Sequence, residues 1–435
     1  MGSKGSSLGG SRAKPWWGFG GKAPLTAYAS SSRLAGITGK ATIPDGKARS
    51  QHGPGAGPAD QSLLVLVAPF PPPVHGAALV ADQLHAALAQ RCRVVRADVS
   101  ARRLAAGPLR HLTRLAGYAG ALVCLVRQAG HHRRHLCVLT AGGPGNLYNA
   151  LCLATGRLLG YRLFIDHHAF SYLDRYDPVF ALLVRLAGSH AVHFVRCRRM
   201  ARRLERLYRG VGPIEIVPNL GPPPAPEPAS TVGRPLVLGH LGNLGHDKGL
   251  DVVLAVARRA HDEGLAVRLV LAGPAQPADL ALIIGVTEGG VNGADLEGVE
   301  YRGALYGDDK RRFFGEIDVF LFPTRYRPEA QPLVLLEAEA HGVPVIATGR
   351  GCIAEDFSAG SDPAGPNLIV PPECDFVAVA LGRLRHWTAN PSALATARRA
   401  AWQAAGVRRA VALDAQAHMI ARLADERNFV TRPDR

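Results

Sequence analysis

Short apolar runs, each the length of a buried strand, alternate with longer segments of helical periodicity along most of this chain, and few folds accommodate that alternation. Residues 63–67 (LLVLV) are continuously apolar and stop just before Pro69, as a parallel strand covered on both faces reads. Behind them Val80, Leu84, Ala87 and Leu88 share one helical face. Further strands are expected at 94–98, 136–140, 163–166, 191–195 and 214–217. At Asn219 the pattern breaks into GPPPAPEPAS, a stretch suited to a connection between domains. It resumes with strands expected at 236–240, 267–272, 319–322 and 345–347, and helices at 250–261 and 333–340. The expected architecture is therefore α/β, with two Rossmann-like doubly wound domains facing across a cleft. Its parts are a tail over 1–60, an N-terminal domain over 61–220, a linker over 221–234, a C-terminal domain over 235–390, and an Ala/Arg-rich helical segment over 391–435.

Composition narrows the function classes. Residues 1–60 are rich in Gly, Ser, Ala and Pro, bury too little apolar surface to offset ordering, and are expected to be disordered. They contain no continuous apolar stretch of the kind that makes a secretory signal. The seven cysteines are widely spaced with no CxxC pair, which argues against a disulfide framework or a zinc site and suits a cytoplasmic protein. The longest apolar run, LAGYAGALVCLV, is too short to span a bilayer, which takes roughly 20 residues. The net charge of +16 is unevenly held: +14 on residues 61–220 against −4 on 221–435. A basic half beside a mildly acidic one implies two surfaces with different partners, an anionic membrane or nucleic acid being the candidates for the basic one.

Four segments carry chemistry. After the first strand, Gly76 stands where a loop becomes a helix, so its backbone is open to a ligand beside amides that attract anions. GHLGNLGHDKGL follows another strand and sets Asn243 and Lys248 among glycines at a helix start, a cationic place for a diphosphate. PTRYRPEAQPLVLLEAEAHGVPVIA is the most specific. Glu329 lies in a loop, Pro332 opens a helix, and Glu337 stands about one and a half turns inside it. Two carboxylates at a strand end and helix N-terminus suit a hydroxyl-rich ligand carrying phosphate. Finally, His167 and His168 follow a strand in LFIDHHAFSYL, at the ligand-facing edge of such a sheet. HHRRH at 131–135 reads as solvated basic surface.

From residue 62 onward the chain resembles the GT-B glycosyltransferases, specifically the large retaining group numbered family 4. The resemblance rests on Glu329 and Glu337 as an E-x7-E pair followed by AEAHGVPVIAT, on Lys248–Gly249 after GNLG, on VPN at 217–219 and on DVFLFPT at 318–324. It implies transfer of a sugar from a nucleotide-sugar donor, with retention, to a glycolipid or saccharide acceptor such as a lipid-linked or cell-envelope polysaccharide precursor. It implies that Glu329 contacts the donor sugar and Glu337 the ribose. Lys248 meets the diphosphate, Gly76 lies near diphosphate or acceptor, and His168 or His167 lines the sugar pocket; Glu329, Lys248 and His168 are the expected catalytic residues. Asn243, Gln331 and Leu333 complete the expected substrate contacts. The group commonly has Arg where Asn243 stands, so a diphosphate contact is either missing or supplied by another residue such as Arg325 or Arg327; it often has Gly where Pro332 stands, so the phosphate cradle is expected to rely on neighbouring amides. No metal or other cofactor is expected. Many members work at the cytoplasmic face of a membrane, so peripheral attachment to anionic lipid through the basic segment 101–135 is expected, and nucleic acid is not expected as a partner. The alternatives are a sugar-nucleotide epimerase or phosphorylase of the same fold and, more remotely, a basic nucleic-acid-binding protein.

Overall fold

The structure is a computed structural model that describes residues 62–72, 76–100, 108–140, 142–143, 145–228, 234–287, 298–358 and 365–424. The tail over 1–60, and with it the expectation of disorder there, lies outside the described residues.

The first sheet is built from β1 (Leu63–Ala68), β2 (Arg93–Asp98), β3 (Arg134–Thr140), β4 (Arg162–His167), β5 (Val192–Val195) and β6 (Ile214–Ile216), in the order β2-β1-β3-β4-β5-β6, all parallel. Between the strands run α1 (Gly76–Leu88), α2 (Pro108–Arg127), α3 (Gly145–Leu158), the short α4 (Ser171–Asp174), α5 (Pro178–Ala187) and α6 (Arg198–Leu207). One core layer joins α2, α3, α5 and α6 to the sheet. The other face packs on α1 and on the end of the last helix.

The second sheet comprises β7 (Leu236–Leu241), β8 (Val267–Ala272), β9 (Val299–Tyr301), β10 (Val319–Phe322), β11 (Val345–Thr348) and β12 (Leu368–Val370). Its order, β12-β11-β10-β7-β8-β9, reverses between β7 and β10. Such a reversal opens a crevice at the carboxyl ends of the two strands, where doubly wound sheets bind ligands. The helices here are α7 (Leu250–Asp262), α8 (Pro277–Thr287), α9 (Gly307–Glu316), α10 (Leu333–Ala340), the short α11 (Ile353–Asp356), α12 (Phe376–Ala389) and α13 (Pro391–Leu423). The fold is thus the expected pair of doubly wound domains. Two strands that the sequence did not signal, β9 and β12, are three-residue edges with mostly half-buried side chains.

α13 is more than a terminal segment. It leaves the second domain, where Leu394 and Ala397 are core, and ends in the first, where Met419 and Leu423 are. On the way it lies antiparallel to the Pro-rich connection and satisfies its polar groups in turn. Arg399 pairs with Glu227, the Trp402 indole donates to the Ala225 carbonyl, Arg409 to that of Gly221, and Gln416 to that of Pro218. Arg422 then reaches Glu215 at 2.5 Å. At the end, the Ser62 hydroxyl donates to the Ala424 carbonyl, and His135 Nδ1 meets the Leu423 carbonyl at 2.7 Å. HHRRH is therefore not all solvated surface: His135, the second residue of β3, is buried where α13 covers it.

Across from this strap Asp318 sits buried at the start of β10. It takes Arg234 in two contacts of 2.8 and 2.9 Å, the Val237 amide at 2.9 Å, and buried Arg398 of α13 at 2.8 Å. Removing one partner of such a cluster leaves the other charge buried and uncompensated. Asp318→Ala is expected to cost about 3–5 kcal/mol, seen as a lower midpoint in chemical denaturation. An unchanged midpoint would contradict this.

Candidate active site

The crevice between β7 and β10 brings together the two segments richest in chemistry. The chain leaving β7 passes Asn243, which is exposed, and forms a single 3-10 turn, His246–Lys248. It enters α7 through Gly249, whose φ of +79° and whose closeness to the Pro323 carbonyl leave no room for a side chain: an added Cβ would lie 2.3 Å from that oxygen. That turn aims Lys248 across the crevice. Its Nζ meets Glu329 Oε2 at 2.5 Å and stands 4.5 Å over the Tyr326 ring. Glu329 is only 9% exposed and also accepts from the Thr324 hydroxyl at 3.4 Å.

The second carboxylate has a lysine too. Pro332 caps the N-terminus of α10, and Glu337 emerges from the second turn beside Lys310 of α9, whose Nζ lies 2.7 and 2.6 Å from its two oxygens. Nothing local in the sequence announces Lys310, which precedes Glu337 by 27 residues. The E-x7-E pair is therefore two lysine–carboxylate pairs around the start of α10, where the first helical amides have no partner within the helix.

The neighbouring residues divide by what they touch. Gln331 is tied down on both ends: its side chain accepts from the Asn219 amide at 2.6 Å and donates to Asp356 at 2.5 Å, while Asn219 donates to its carbonyl at 2.8 Å. It clamps the connection to the crevice loop. Leu333 is half-buried against the core of the second domain. Arg325 is held by Asp251 at 2.9 Å and contacts His246, and Arg327 is exposed. Glu339, next in the helix, is buried and held by Arg408 at 2.9 Å and Asn367 at 2.6 Å.

From the first domain, Gly76 is exposed at the start of α1. His167 is wholly buried, with Nδ1 on the Tyr172 hydroxyl at 2.9 Å and Nε2 on His193 Nδ1 at 3.0 Å. It belongs to an interior chain running from Thr140 through Tyr172 to His193. His168 differs: its Nε2 lies 2.8 Å from Asp166, itself paired with buried Arg196. A neutral ring that gives its Nε2 proton to a carboxylate presents Nδ1 as an acceptor. The loop that carries it is joined to the crevice, since the Phe170 amide donates to the Pro328 carbonyl at 3.0 Å, one residue before Glu329.

The two carboxyl edges are pinned together nearby. Arg350 reaches Asp174, Arg202 meets Glu355 at 3.0 Å, and Arg199 donates to the Gly351 carbonyl at 3.0 Å. Cys197 and Cys352, each just ahead of a helix, form a disulfide across 155 residues. This corrects the expectation against disulfides: spacing along the chain does not reveal a pair made by two domains. Asp356 lies close to both sulfurs, but bonded to each other they are not available as thiolates for a metal. A cavity of about 210 Å³ opens elsewhere, between the connection and α13, and does not include Lys248 or Glu329.

Residues 235–386 match the family of glycosyl transferases group 1. No curated protein matches the sequence. Solved structures resemble the chain along most of its length. Sucrose-phosphate synthase from Thermosynechococcus elongatus is 16% identical, with 84% of this chain and 99% of that one covered and a TM-score of 0.62. The Anabaena protein HepE in complex with UDP is 14% identical, with 84% and 100% covered and a TM-score of 0.62. The lipopolysaccharide outer core galactosyltransferase WaaB is 11% identical, with 82% and 99% covered and a TM-score of 0.57. At these identities the likeness establishes the GT-B fold. With the family match, it supports glycosyltransferase activity.

Burial pushes His168, His193 and His240 from the ordinary 6.5 to about 4, and lowers His167 too. Between pH 6.5 and 4 the unfolded chain binds protons that these rings refuse, so their contribution to stability is lost as pH falls through that window. Burial raises Asp356 to about 6 and raises Glu339 as well, and these two carboxyls act in the opposite direction. The melting temperature is expected to fall steeply from pH 7 to 5, and less steeply in His193→Asn. A flat profile would contradict the burial of these rings.

Proposed function

We propose that this chain transfers a sugar from a nucleotide-sugar donor, held at the crevice of the second domain, to an acceptor bound by the first, with retention of anomeric configuration. The observation that carries the reading is the paired arrangement of Lys248 with Glu329 and Lys310 with Glu337 about the start of α10. A diphosphate arriving there competes with Glu329 for Lys248 and gains the first amides of α10. As the bond from the anomeric carbon to the diphosphate oxygen breaks, negative charge grows on that oxygen, and a cation already positioned stabilises it. Glu329, released from Lys248, accepts sugar hydroxyls. Glu337 accepts those of the ribose, and His168 Nδ1 accepts another hydroxyl of the sugar. No metal or cofactor is needed for this scheme.

The acceptor we propose is a lipid-linked or cell-envelope polysaccharide precursor, met at the cytoplasmic face of a membrane. The +14 charge of residues 61–220 supports this. Among the described residues no helix is long and apolar enough to cross a membrane, so attachment would be peripheral. Retention is proposed from the resemblance of the E-x7-E segment.

The reading is tested first with a panel of UDP-, GDP- and ADP-sugars, starting with UDP-glucose because HepE has been solved with it. Glu329→Ala is expected to lower kcat, because its sugar contacts strengthen in the transition state, whereas Glu337→Ala should chiefly raise the donor KM. If both variants keep full activity and donor affinity, the site is elsewhere. Lys248→Ala should cost about 3 kcal/mol in kcat/KM, the scale of one lost oxyanion contact. An absolute requirement for a divalent ion would contradict Lys248 as the main cation.

A further inference from the structure

α3 carries an apolar stripe on its solvent side as well as its core side. Its inward face buries Ala150, Cys152 and Leu153 together with Asn146 and Asn149, while Leu147, Leu151 and Leu158 stand 52%, 51% and 88% exposed at i, i+4 and i+11 with Ala154 between. Solvent-facing helix stripes are ordinarily polar. The neighbouring helices continue the pattern. α2 exposes Val123 and Val126, and α5 exposes Leu182. Because α2, α3 and α5 share one core layer, the sides opposite that layer form one outward face. Across the three helices there are five arginines and no Asp or Glu.

We propose that this face docks on an anionic lipid surface, with the leucine stripe of α3 entering the interface and Arg127 and Arg185 meeting headgroups. Apolar side chains interspersed with cations and free of carboxylates are the composition of an interfacial helix layer. A second copy using the same face would set arginine against arginine. Nucleic acid would leave the leucines unused. The stripe also begins at the right place: α3 starts at the carboxyl edge of β3, so Leu147 stands at the rim of the cleft and the bilayer lies alongside the acceptor side.

This alters the expectation from sequence, which placed attachment on the apolar and basic segment 101–135 and made it electrostatic. Arg102 and Arg103 lie outside the described residues. Arg134 is turned inward, donating to the Leu159 and His131 carbonyls at 2.7 and 2.6 Å. The proposal rests on the membrane acceptor suggested above, but vesicle binding needs no donor, so the two can fail separately.

The test is co-flotation of the full chain with phosphatidylcholine vesicles with and without phosphatidylglycerol, at 0.1 and 0.5 M salt. The wild type is expected to bind the anionic vesicles at 0.1 M and to keep a measurable fraction at 0.5 M, because apolar insertion is not screened. The Leu147→Ser, Leu151→Ser, Leu158→Ser variant should lose at least tenfold in partitioning at both salts while keeping its melting temperature and donor hydrolysis. Arg127→Gln with Arg185→Gln should lose binding mainly at 0.1 M. Three results would overturn the proposal: no binding by the wild type, unchanged binding by the serine variant, or a wild-type dimer in gel filtration that the serine variant dissolves. The last would assign the face to a second copy.

Discussion

The carboxyl edges of two separate sheets face one another here because α13 refuses to belong to either. A connection rich in proline has carbonyls and few amides, and cannot join a sheet to satisfy them. α13 supplies donors to it at Trp402, Arg409 and Gln416, and so fixes its path from Pro218 to Ala225. The helix can do this only because its two ends are anchored in different cores, at Leu394 and at Leu423. With the back of the molecule strapped in this way, the loops after β4 and β5 are brought against those after β10 and β11. Gln331 continues the same constraint inward. It binds Asn219, at the start of the connection, and Asp356, and so couples the position of the strap to the loop that carries Glu329.

Within the crevice the governing quantity is charge compensation. A carboxylate as enclosed as Glu329 is costly without a partner, and Lys248 is delivered to it by a turn that only glycine at 249 allows. The pairing keeps both groups in place while the site is empty, yet each is the group a nucleotide sugar would engage. Glu337 and Lys310 repeat the arrangement one helical turn further on. Glu339, two residues later, has the same chemistry and a different fate. It points into the core, and Arg408 of α13 makes it part of the strap.

Much of this was legible in the sequence. The doubly wound halves follow from apolar runs such as LLVLV, which read as covered parallel strands in alternation with helical segments, and the break at GPPPAPEPAS divides them. The placement of Glu329 before the helix and Glu337 within it follows from Pro332. What was not legible depends on distance along the chain. Lys310 reaches Glu337 from another helix, Cys197 finds Cys352 across the cleft, and α13 hides its destination in an Ala/Arg-rich sequence whose apolar face changes partner halfway. β9 and β12 are too short for periodicity to register. His167 and His168 are alike in sequence, and only the alternation of side chains at the end of β4 sends one inward to Tyr172 and the other to Asp166.

The central claim is that the two lysine–carboxylate pairs hold a nucleotide sugar. The most direct measurement is a crystal structure of the chain with the nucleoside diphosphate it binds best. The account predicts the diphosphate on Lys248 and the first amides of α10, the ribose hydroxyls on Glu337, and Lys248 drawn away from Glu329. A nucleotide bound elsewhere, or bound in the crevice with the Lys248–Glu329 pair unbroken, would contradict it.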